Sequence, residues 1–436
     1  MANISVSSAP VETTAAVGEQ KSYTGPLAVV TTLFFMWGFL TCLNDILVPH
    51  LKSIFDLNYA RVMLIQFAFF GAYFIFSIPS ARIVDLIGYQ RSMVLGLLTM
   101  GLGAFLFVPA ASVPSYPLFL GALIVLAAGI TCLQVAANPY VTVLGKPETA
   151  SSRLNLTQAF NSLGTFLAPF FGGILILSAA PKAMNEIRAM TPDALQVYRL
   201  HEAATVKTPY VGLGIALVLL AIAIGSFKLP KIEHAQRKVG EKVNDSIWRH
   251  PSLIFGAIAI FVYVGAEVSI GSFLVNYFSQ PEIGGLTERV AASFVAFYWG
   301  GAMVGRFIGS GLLQKVSTRR LLGVCAVCAA ALVGISMLSS GHLAMWTIIL
   351  VGFFNSIMFP SIFTLGVAEL GPLTGDGSGI MIMAIVGGAI IPLAQGWIAD
   401  KIGIHHAFFL PVICYLYILF FALSGSKPNS QRLSKA

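Results

Sequence analysis

The chain carries little charge for its length. Only 10% of its 436 residues are charged, whereas 57% are apolar. Soluble domains have about 25% charged residues, and a single soluble core stops growing at about 250–300 residues. A soluble fold could not bury this much apolar surface, but a lipid bilayer could. The composition therefore predicts an all-α integral membrane protein in contact with membrane lipid.

The sequence also lacks the motifs of enzymes and of nucleic-acid-binding proteins. It contains no phosphate loop, zinc motif or nucleophile constellation, so we expect no enzyme, no metal site and no cofactor. Its five cysteines fall in apolar runs, and Cys325-x-x-Cys328 has no second pair to complete a zinc site. The net charge of +8 comes from Lys and Arg in short loops rather than from a basic arm, which argues against nucleic acid as a partner.

Twelve apolar runs are long enough to cross a bilayer, which takes about twenty residues each. We number them as spans 1 to 12, and they cover residues 26–51, 62–87, 92–111, 117–145, 153–179, 208–228, 252–279, 288–313, 320–340, 343–368, 376–400 and 404–424. A charged linker divides them into six and six. The predicted organisation is a disordered cytoplasmic tail, a six-helix bundle, the linker, a second bundle and a short tail, at residues 1–24, 25–228, 229–250, 251–425 and 426–436. Residues 180–207 are predicted to form an outer loop with room for a short surface helix.

The distribution of basic residues predicts the orientation. If the N-terminus lies inside the cell, the cytoplasmic segments hold seventeen Lys and Arg and the outer loops hold eight. Cytoplasmic loops carry an excess of Lys and Arg. We therefore expect both termini in the cytoplasm.

The two halves of the sequence resemble weak repeats. The segment LGTFLAPFFGG aligns with VGGAIIPLAQG, which pairs Gly164 with Gly387. The segment LQVAANPYVT aligns with FNSIMFPSIF, which pairs Gln134 with Asn355. Internal repeats of this kind are typical of transporters built from two helical bundles.

Two acidic residues lie well inside spans, where an ionisable group costs about 2.5–3.5 kcal/mol on insertion scales. They are Asp45 in span 1 and Glu267 in span 7. Helical spacing places Trp37, Thr41 and Asn44 near Asp45, which combines an aromatic plate with hydrogen-bonding groups and suits a sugar. We predict that Trp37 and Asn44 bind substrate and that Asp45 and Glu267 couple to a cation. The alternative is a cluster of hydrogen bonds between helices.

Amide side chains are unusually dense in spans 4 and 5. Gln134 and Asn138 are four residues apart, and Asn155, Gln158 and Asn161 follow at intervals of three. An amide both donates and accepts hydrogen bonds, which matches a ring of sugar hydroxyls. We predict that these five residues bind substrate. Polar packing around the proline break in span 4 is the alternative.

A loop motif follows span 2 and recurs after span 11. Asp85 is followed by Gly88 and Arg91, and Asp400 is followed by Gly403. The acid of the first loop faces Arg91 across a tight turn. We predict that Asp85 and Arg91 form a latch at the inner face rather than a substrate site.

Several of these segments resemble a known family. The loop at residues 81–91 is similar to the signature loop of the major facilitator superfamily, with Ala81 where glycine is usual. The segments NDILVPHLK, ANPYVTVLG, RLNLTQAFNSLG and MTPDALQVYRLHEAATVKTPY resemble the fucose–proton symporter family, and most closely its glucose/galactose porter branch. The resemblance spans most of residues 25–425. It implies twelve helices in two pseudo-symmetric six-helix bundles, alternating access and a bacterial inner membrane.

The resemblance also implies roles for particular residues. The family's proton-linked acid on span 1 falls on Asp45, and its second acid, on span 4, falls on Gln134. Because an amide cannot release a proton, this departure counts against a two-carboxylate proton mechanism and leaves Glu267 as a replacement. The branch that the chain resembles is associated with either protons or sodium ions, so the resemblance implies one of these two as the co-transported cation.

Together these observations predict a monomeric carrier that imports a neutral hexose, similar to glucose or galactose, by cation symport. Two alternatives stay open. One is a uniporter in which Asp45 is structural, and the other is a membrane sensor that binds sugar and signals.

Overall fold

The structure is a computed structural model that describes residues 23–55, 59–113, 115–175, 190–205, 207–230 and 246–427. The side chains at 41–55, 59–63, 169–175, 202, 203 and 205 lie outside this description. The predicted disorder of the N-terminal tail and most of the predicted linker also fall outside it. The described residues form helices and no strand.

The helices, in chain order, are α1 (Thr24–Phe55), α2 (Tyr59–Ile87), α3 (Tyr89–Ser112), α4 (Tyr116–Val143), α5 (Ala150–Leu175), α6 (Pro192–Thr205), α7 (Lys207–Ser226), α8 (Pro251–Phe278), α9 (Glu288–Leu312), α10 (Thr318–Leu338), α11 (Gly341–Asn355), α12 (Met358–Gly366), α13 (Thr374–Met383), α14 (Gly387–Ile402), α15 (Ile404–Ala407) and α16 (Phe409–Phe420). Short 3-10 turns join several of them. Within the described residues, ten helical stretches are long and apolar enough to cross a membrane, and α1 adds the apolar stretch Thr24–Leu40.

Two of the predicted spans are broken in the structure. Span 10 consists of α11 and α12, which are separated at Ser356 and Ile357. Pro360 falls in the first turn of α12, where the missing N–H costs no intrahelical hydrogen bond. Span 11 consists of α13 and α14, separated by a 3-10 turn at Ala384–Val386. Broken spans are tolerated in membranes where protein surrounds the freed backbone groups.

The segment predicted to be an outer loop contains a helix. The short helix α6 lies within residues 180–207, as the sequence predicted. Its Val197 and Leu200 side chains are exposed.

The glycines that the sequence repeat pairs make the same contact in both halves. A methyl group at Gly164 would lie 2.2 Å from the Phe35 carbonyl oxygen of α1. A methyl group at Gly387 would lie 2.0 Å from the Phe261 carbonyl oxygen of α8. Small residues allow membrane helices to approach until their backbones touch. Since α1 and α8 begin the two halves, the repeat holds in three dimensions.

The repeated loop motif also has one conformation. Gly88 joins α2 to α3 with φ 84° and ψ 167°, and Gly403 joins α14 to α15 with φ 84° and ψ 152°. Backbone of this kind is accessible to glycine and strained for other residues.

The two halves touch on the side of the molecule where α1 begins, which we call the N-side. The contacts join α5 to α12, α5 to α9, and α13 to α4. They include Ser151 Oγ to Thr364 Oγ1 at 2.6 Å, Ser152 Oγ donating to the Ser310 carbonyl at 2.7 Å, and Ser378 Oγ donating to the Val135 carbonyl at 3.0 Å. The bundles are therefore closed against each other at the N-side.

Candidate substrate and coupling site

A buried tyrosine organises the amide face of the first bundle. The Gln134 side-chain N–H donates to the Tyr73 hydroxyl at 2.7 Å. The Trp37 side chain hydrogen-bonds to the same hydroxyl, and its indole N–H can only donate. Tyr73 and Gln134 are buried, whereas Trp37 is half-buried. The hydroxyl thus fixes one side chain each from α1 and α4 against α2.

Several amide atoms of this face are buried without a partner in the described structure. They are Gln134 Oε1, both amide atoms of Asn138, and Gln158 Nε2. All three side chains are at most 4% exposed. A buried polar group left without a hydrogen bond costs about 1–3 kcal/mol. The set contains both donors and acceptors, which is the chemistry of a site that binds a polyhydroxylated ligand.

The remaining amides of α5 hold helices together through their donor atoms. Asn155 Nδ2 donates to the Arg306 carbonyl at 2.7 Å, and Asn161 Nδ2 donates to the Phe34 carbonyl at 2.9 Å. Asn155 therefore links the two halves, while Asn161 links α5 to α1. The oxygen of Asn155 is buried and has no partner in the described structure.

The predicted residues Asn44 and Asp45 lie on α1, but their side chains fall outside the described residues. The helix is continuous from Trp37 through both positions. Asn44 is seven residues after Trp37, which is two helical turns along the same face. Their predicted roles stay predictions.

Glu267 belongs to a polar network in the second half. Its Oε1 accepts a hydrogen bond from the Tyr263 hydroxyl at 2.9 Å, and that hydroxyl lies 3.1 Å from the Asn355 carbonyl oxygen. The Asn355 side-chain N–H donates to the Tyr298 hydroxyl at 2.9 Å. This network joins α8, α9 and the end of α11.

An amide–tyrosine pair occurs in both halves. Gln134 and Asn355, which the sequence repeat aligns, donate to Tyr73 of α2 and to Tyr298 of α9. Both helices are the second membrane helix of their half. The sequence analysis did not select Tyr73, although the aligned amides were a signal that a shared partner should be sought.

Arg306 is a further polar residue of the site that the sequence analysis did not select. Its Nε donates to the Ser356 carbonyl at 3.3 Å, and its Nη1 donates to the Gln158 carbonyl at 3.4 Å and to the Ser162 hydroxyl. Its charge interacts with the Glu267 carboxyl group. The rule that selected the two acids, a charged residue inside a span, would also have found this arginine.

Asp85 lies between the two halves at the N-side. Its Oδ1 is 2.6 Å from the position that a Cβ atom would take at Gly375, in the first turn of α13. The N-terminus of a helix carries partial positive charge, which stabilises a carboxylate. Arg91 is exposed on α3. The latch role of Asp85 and Arg91 stays a prediction.

The membrane helices form two halves that are related by a repeat, and they enclose buried amides without partners in the described structure. This arrangement is typical of a membrane transporter. A family model described as Major Facilitator Superfamily matches residues 29–385. The chain belongs to the major facilitator superfamily. It is a multi-pass membrane transporter and not an enzyme.

Relatives of known name extend over nearly the whole chain. A glucose/galactose transporter of Brucella abortus biovar 1 (strain 9-941) is 55% identical over 408 residues, which cover 94% of this chain and 96% of the relative. A putative glucose/galactose transporter of Helicobacter pylori (strain J99 / ATCC 700824) is 46% identical over 94% of this chain and 98% of the relative. The L-fucose-proton symporter of Escherichia coli (strain K12) is 37% identical over 93% of this chain and 94% of the relative. The predicted family resemblance is therefore confirmed.

A solved structure has the same fold. The crystal structure of a Major Facilitator Superfamily transporter, FucP, in the outward conformation matches with a TM-score of 0.85 and 34% identity, covering 93% of this chain and 100% of that chain. The predicted all-α major facilitator fold is confirmed.

Proposed function

We propose that this chain imports a neutral hexose, similar to glucose or galactose, together with a cation. The observation that carries the proposal is the set of unpartnered buried amide atoms at Gln134, Asn138 and Gln158. Their donors and acceptors complement hydroxyl groups, and the half-buried Trp37 ring beside them offers an apolar face for the C–H groups of a sugar ring. The names of the relatives from Brucella and Helicobacter support glucose and galactose as substrates.

Coupling is assigned to the acidic residues of the two halves. Asp45 in the first half binds the cation, and Glu267 is the second candidate. Relatives named L-fucose-proton symporter favour a proton. The amide at Gln134 favours sodium, because it removes a carboxylate that could carry a proton and leaves oxygen ligands that suit a hard cation. We favour sodium on this ground.

The proposed cycle alternates the side on which the bundles part. The distribution of Lys and Arg assigns the N-side to the cytoplasm. In the N-side-closed state the sugar enters the site from the outside, and breaking the N-side contacts releases sugar and cation inside. We place the carrier as a monomer in the bacterial inner membrane, with both termini in the cytoplasm.

The test is sugar counterflow in proteoliposomes with purified protein. Vesicles loaded with unlabelled glucose, galactose, fucose or mannitol are diluted into labelled hexose, with sodium or with choline at fixed pH and zero membrane potential. We expect accumulation of label with glucose or galactose inside and none with mannitol. An inward sodium gradient should then drive net uptake.

The possible results separate the alternatives. Binding without any flux supports a sensor, and flux that never exceeds equilibrium under any ion gradient supports a uniporter. Equal uptake with and without sodium, accompanied by alkalinisation of the medium, assigns the coupling to protons.

A further inference from the structure

Arg306 connects three helices around the proposed sugar face. Its guanidinium donates to two groups of α5, the Gln158 carbonyl and the Ser162 hydroxyl, and to the Ser356 carbonyl in the break between α11 and α12. Its own carbonyl accepts from Asn155 of α5. We call Arg306 with Gln158, Ser162 and Ser356 the cross-bundle clamp.

A residue of a fourth helix interacts with the charge of the clamp. The Arg306 guanidinium interacts electrostatically with the Glu267 carboxyl group of α8. An arginine inside a membrane is costly unless it is paired and hydrogen-bonded. Glu267 is held in turn by the Tyr263 hydroxyl at 2.9 Å. Glu267 therefore lies near enough to Arg306 for its carboxyl group to interact with the charge of the clamp.

The clamp lies between the two halves, and this location has a consequence for transport. Gln158 and Ser162 lie on the helix that carries the proposed substrate amides, so the clamp crosses from the first half to the second at the level of the site. The N-side contacts Ser152–Ser310 and Ser151–Thr364 lie on the same helices nearer their ends. If the halves separate at the N-side, the bonds from Arg306 to α5 must break.

We propose that Arg306 is a positioning residue that holds the bundles in the N-side-closed state and fixes α5 against the second half, with Glu267 as its electrostatic support. The inference rests on the proposed transport cycle but needs no particular sugar. It predicts that weakening the clamp opens the N-side before any substrate is present.

A buried cysteine can report opening of the N-side. Ser151 is 5% exposed in the closed contact, so Ser151→Cys, with the five native cysteines changed to alanine, should react slowly with a maleimide in detergent micelles without sugar. Arg306→Gln in this background should raise the alkylation rate at least about tenfold, as expected from the loss of charge-assisted bonds. Ser162→Ala removes one of these bonds, so it should raise the rate about threefold. Arg306→Lys, which keeps the charge but not the fork, should lie between wild type and Arg306→Gln.

The matched control is Thr157→Val, which removes a buried hydroxyl bond within α5, from Thr157 Oγ1 to the Leu154 carbonyl, and no bond between the halves. It should leave the rate unchanged. The variant Ser162→Ala keeps every charge, so it tests the clamp even if Arg306→Gln does not fold. Unchanged alkylation in both clamp variants overturns the proposal.

A double variant tests the role of Glu267. If the acid acts through Arg306, then Glu267→Gln should add nothing to the alkylation rate of Arg306→Gln. Fully additive effects would separate Glu267 from the clamp and overturn that part of the proposal. The clamp variants could be alkylated faster while the protein fails the sugar counterflow test. That combination would support the clamp and contradict the assignment of a hexose as substrate.

Discussion

At the residue scale, the amides of the first half divide into two kinds. Asn155 and Asn161 donate to backbone carbonyls and so contribute to helix packing. Gln158 Nε2 is buried without a partner in the described structure. The first kind positions α5, and the second kind has hydrogen-bonding capacity left for a ligand. Spacing along the sequence could not separate them, because the partners come from α1 and α9.

Changing Gln158 to alanine should weaken sugar binding. One lost hydrogen bond is worth about 0.5–1.5 kcal/mol net, and a stranded partner costs more, so affinity should fall roughly 3- to 100-fold. Asn161→Ala should also weaken binding, because it releases α5 from α1. Calorimetric titration of the purified variants measures both effects.

The control for this series is Gln90→Ala, since Gln90 donates to carbonyls at the end of α7 and not into the amide face. It should bind sugar as the wild type does. If Gln158→Ala and Asn161→Ala also bind with unchanged affinity, the substrate site lies elsewhere.

Replacing Asp45 with asparagine should separate coupling from translocation. The change removes the carboxylate and keeps the size of the side chain, so uphill uptake should be lost while sugar exchange in proteoliposomes remains measurable. The surface variant Asp193→Asn on α6 is the control, because its carboxylate is exposed. Accumulation at the wild-type level by Asp45→Asn would remove it from the coupling mechanism.

Much of the site's composition could be predicted from the sequence, because polar residues in a membrane span are costly and therefore conspicuous. Gln134, Gln158 and Glu267 were selected this way, and their roles stay predictions. Tyr73 was missed because a tyrosine is unremarkable in an apolar run until its hydroxyl meets a partner on another helix.

At the scale of the helices, close contacts of glycine set the distance between neighbours. Gly164 and Gly387 place α5 against α1 and α14 against α8 with backbone atoms in contact. The same close contact in both halves explains why the sequence repeat pairs a glycine with a glycine at this position. The apolar runs themselves were predictable because the bilayer fixes their length. The break at Ser356 was not, since it depends on neighbouring helices that satisfy the freed backbone groups.

Gly164→Ala and Gly387→Ala should each destabilise the protein. The added methyl groups would overlap a backbone carbonyl that has no freedom to move, and overpacking of this kind costs about 1–3 kcal/mol. The melting temperature in detergent, followed by tryptophan fluorescence or size-exclusion chromatography, should fall in both variants.

Gly334→Ala is the matched control for these glycines. It lies in α10 and has no atom within 4 Å of the added methyl group, so the melting temperature should be unchanged. Because alanine favours a helix more than glycine does, a drop equal to that of the other two variants would contradict the packing explanation.

At the scale of the whole molecule, orientation decides what the closed N-side means. The excess of Lys and Arg predicts that this side faces the cytoplasm. A fusion of green fluorescent protein to the C-terminus should therefore fluoresce, and alkaline phosphatase at the same point should be inactive, because the phosphatase folds only outside the cytoplasm.

The reporter for the opposite side is a phosphatase fusion at Ser339, in the turn between α10 and α11. It should be active. Activity of the C-terminal fusion instead would invert the topology, and the closed N-side would then face the outside.

The closed N-side is joined by hydroxyl contacts at Ser151, Ser152 and Ser378. Such neutral bonds contribute about 0.5–1.5 kcal/mol each. Converting a population from 1:99 to 99:1 takes about 5.5 kcal/mol of difference in ligand affinity between the two states. The combined free energy of these hydrogen bonds is of the same order as that difference. The binding of one sugar molecule with its cation can therefore shift the equilibrium between the two states, and no other source of chemical energy is required to separate the halves.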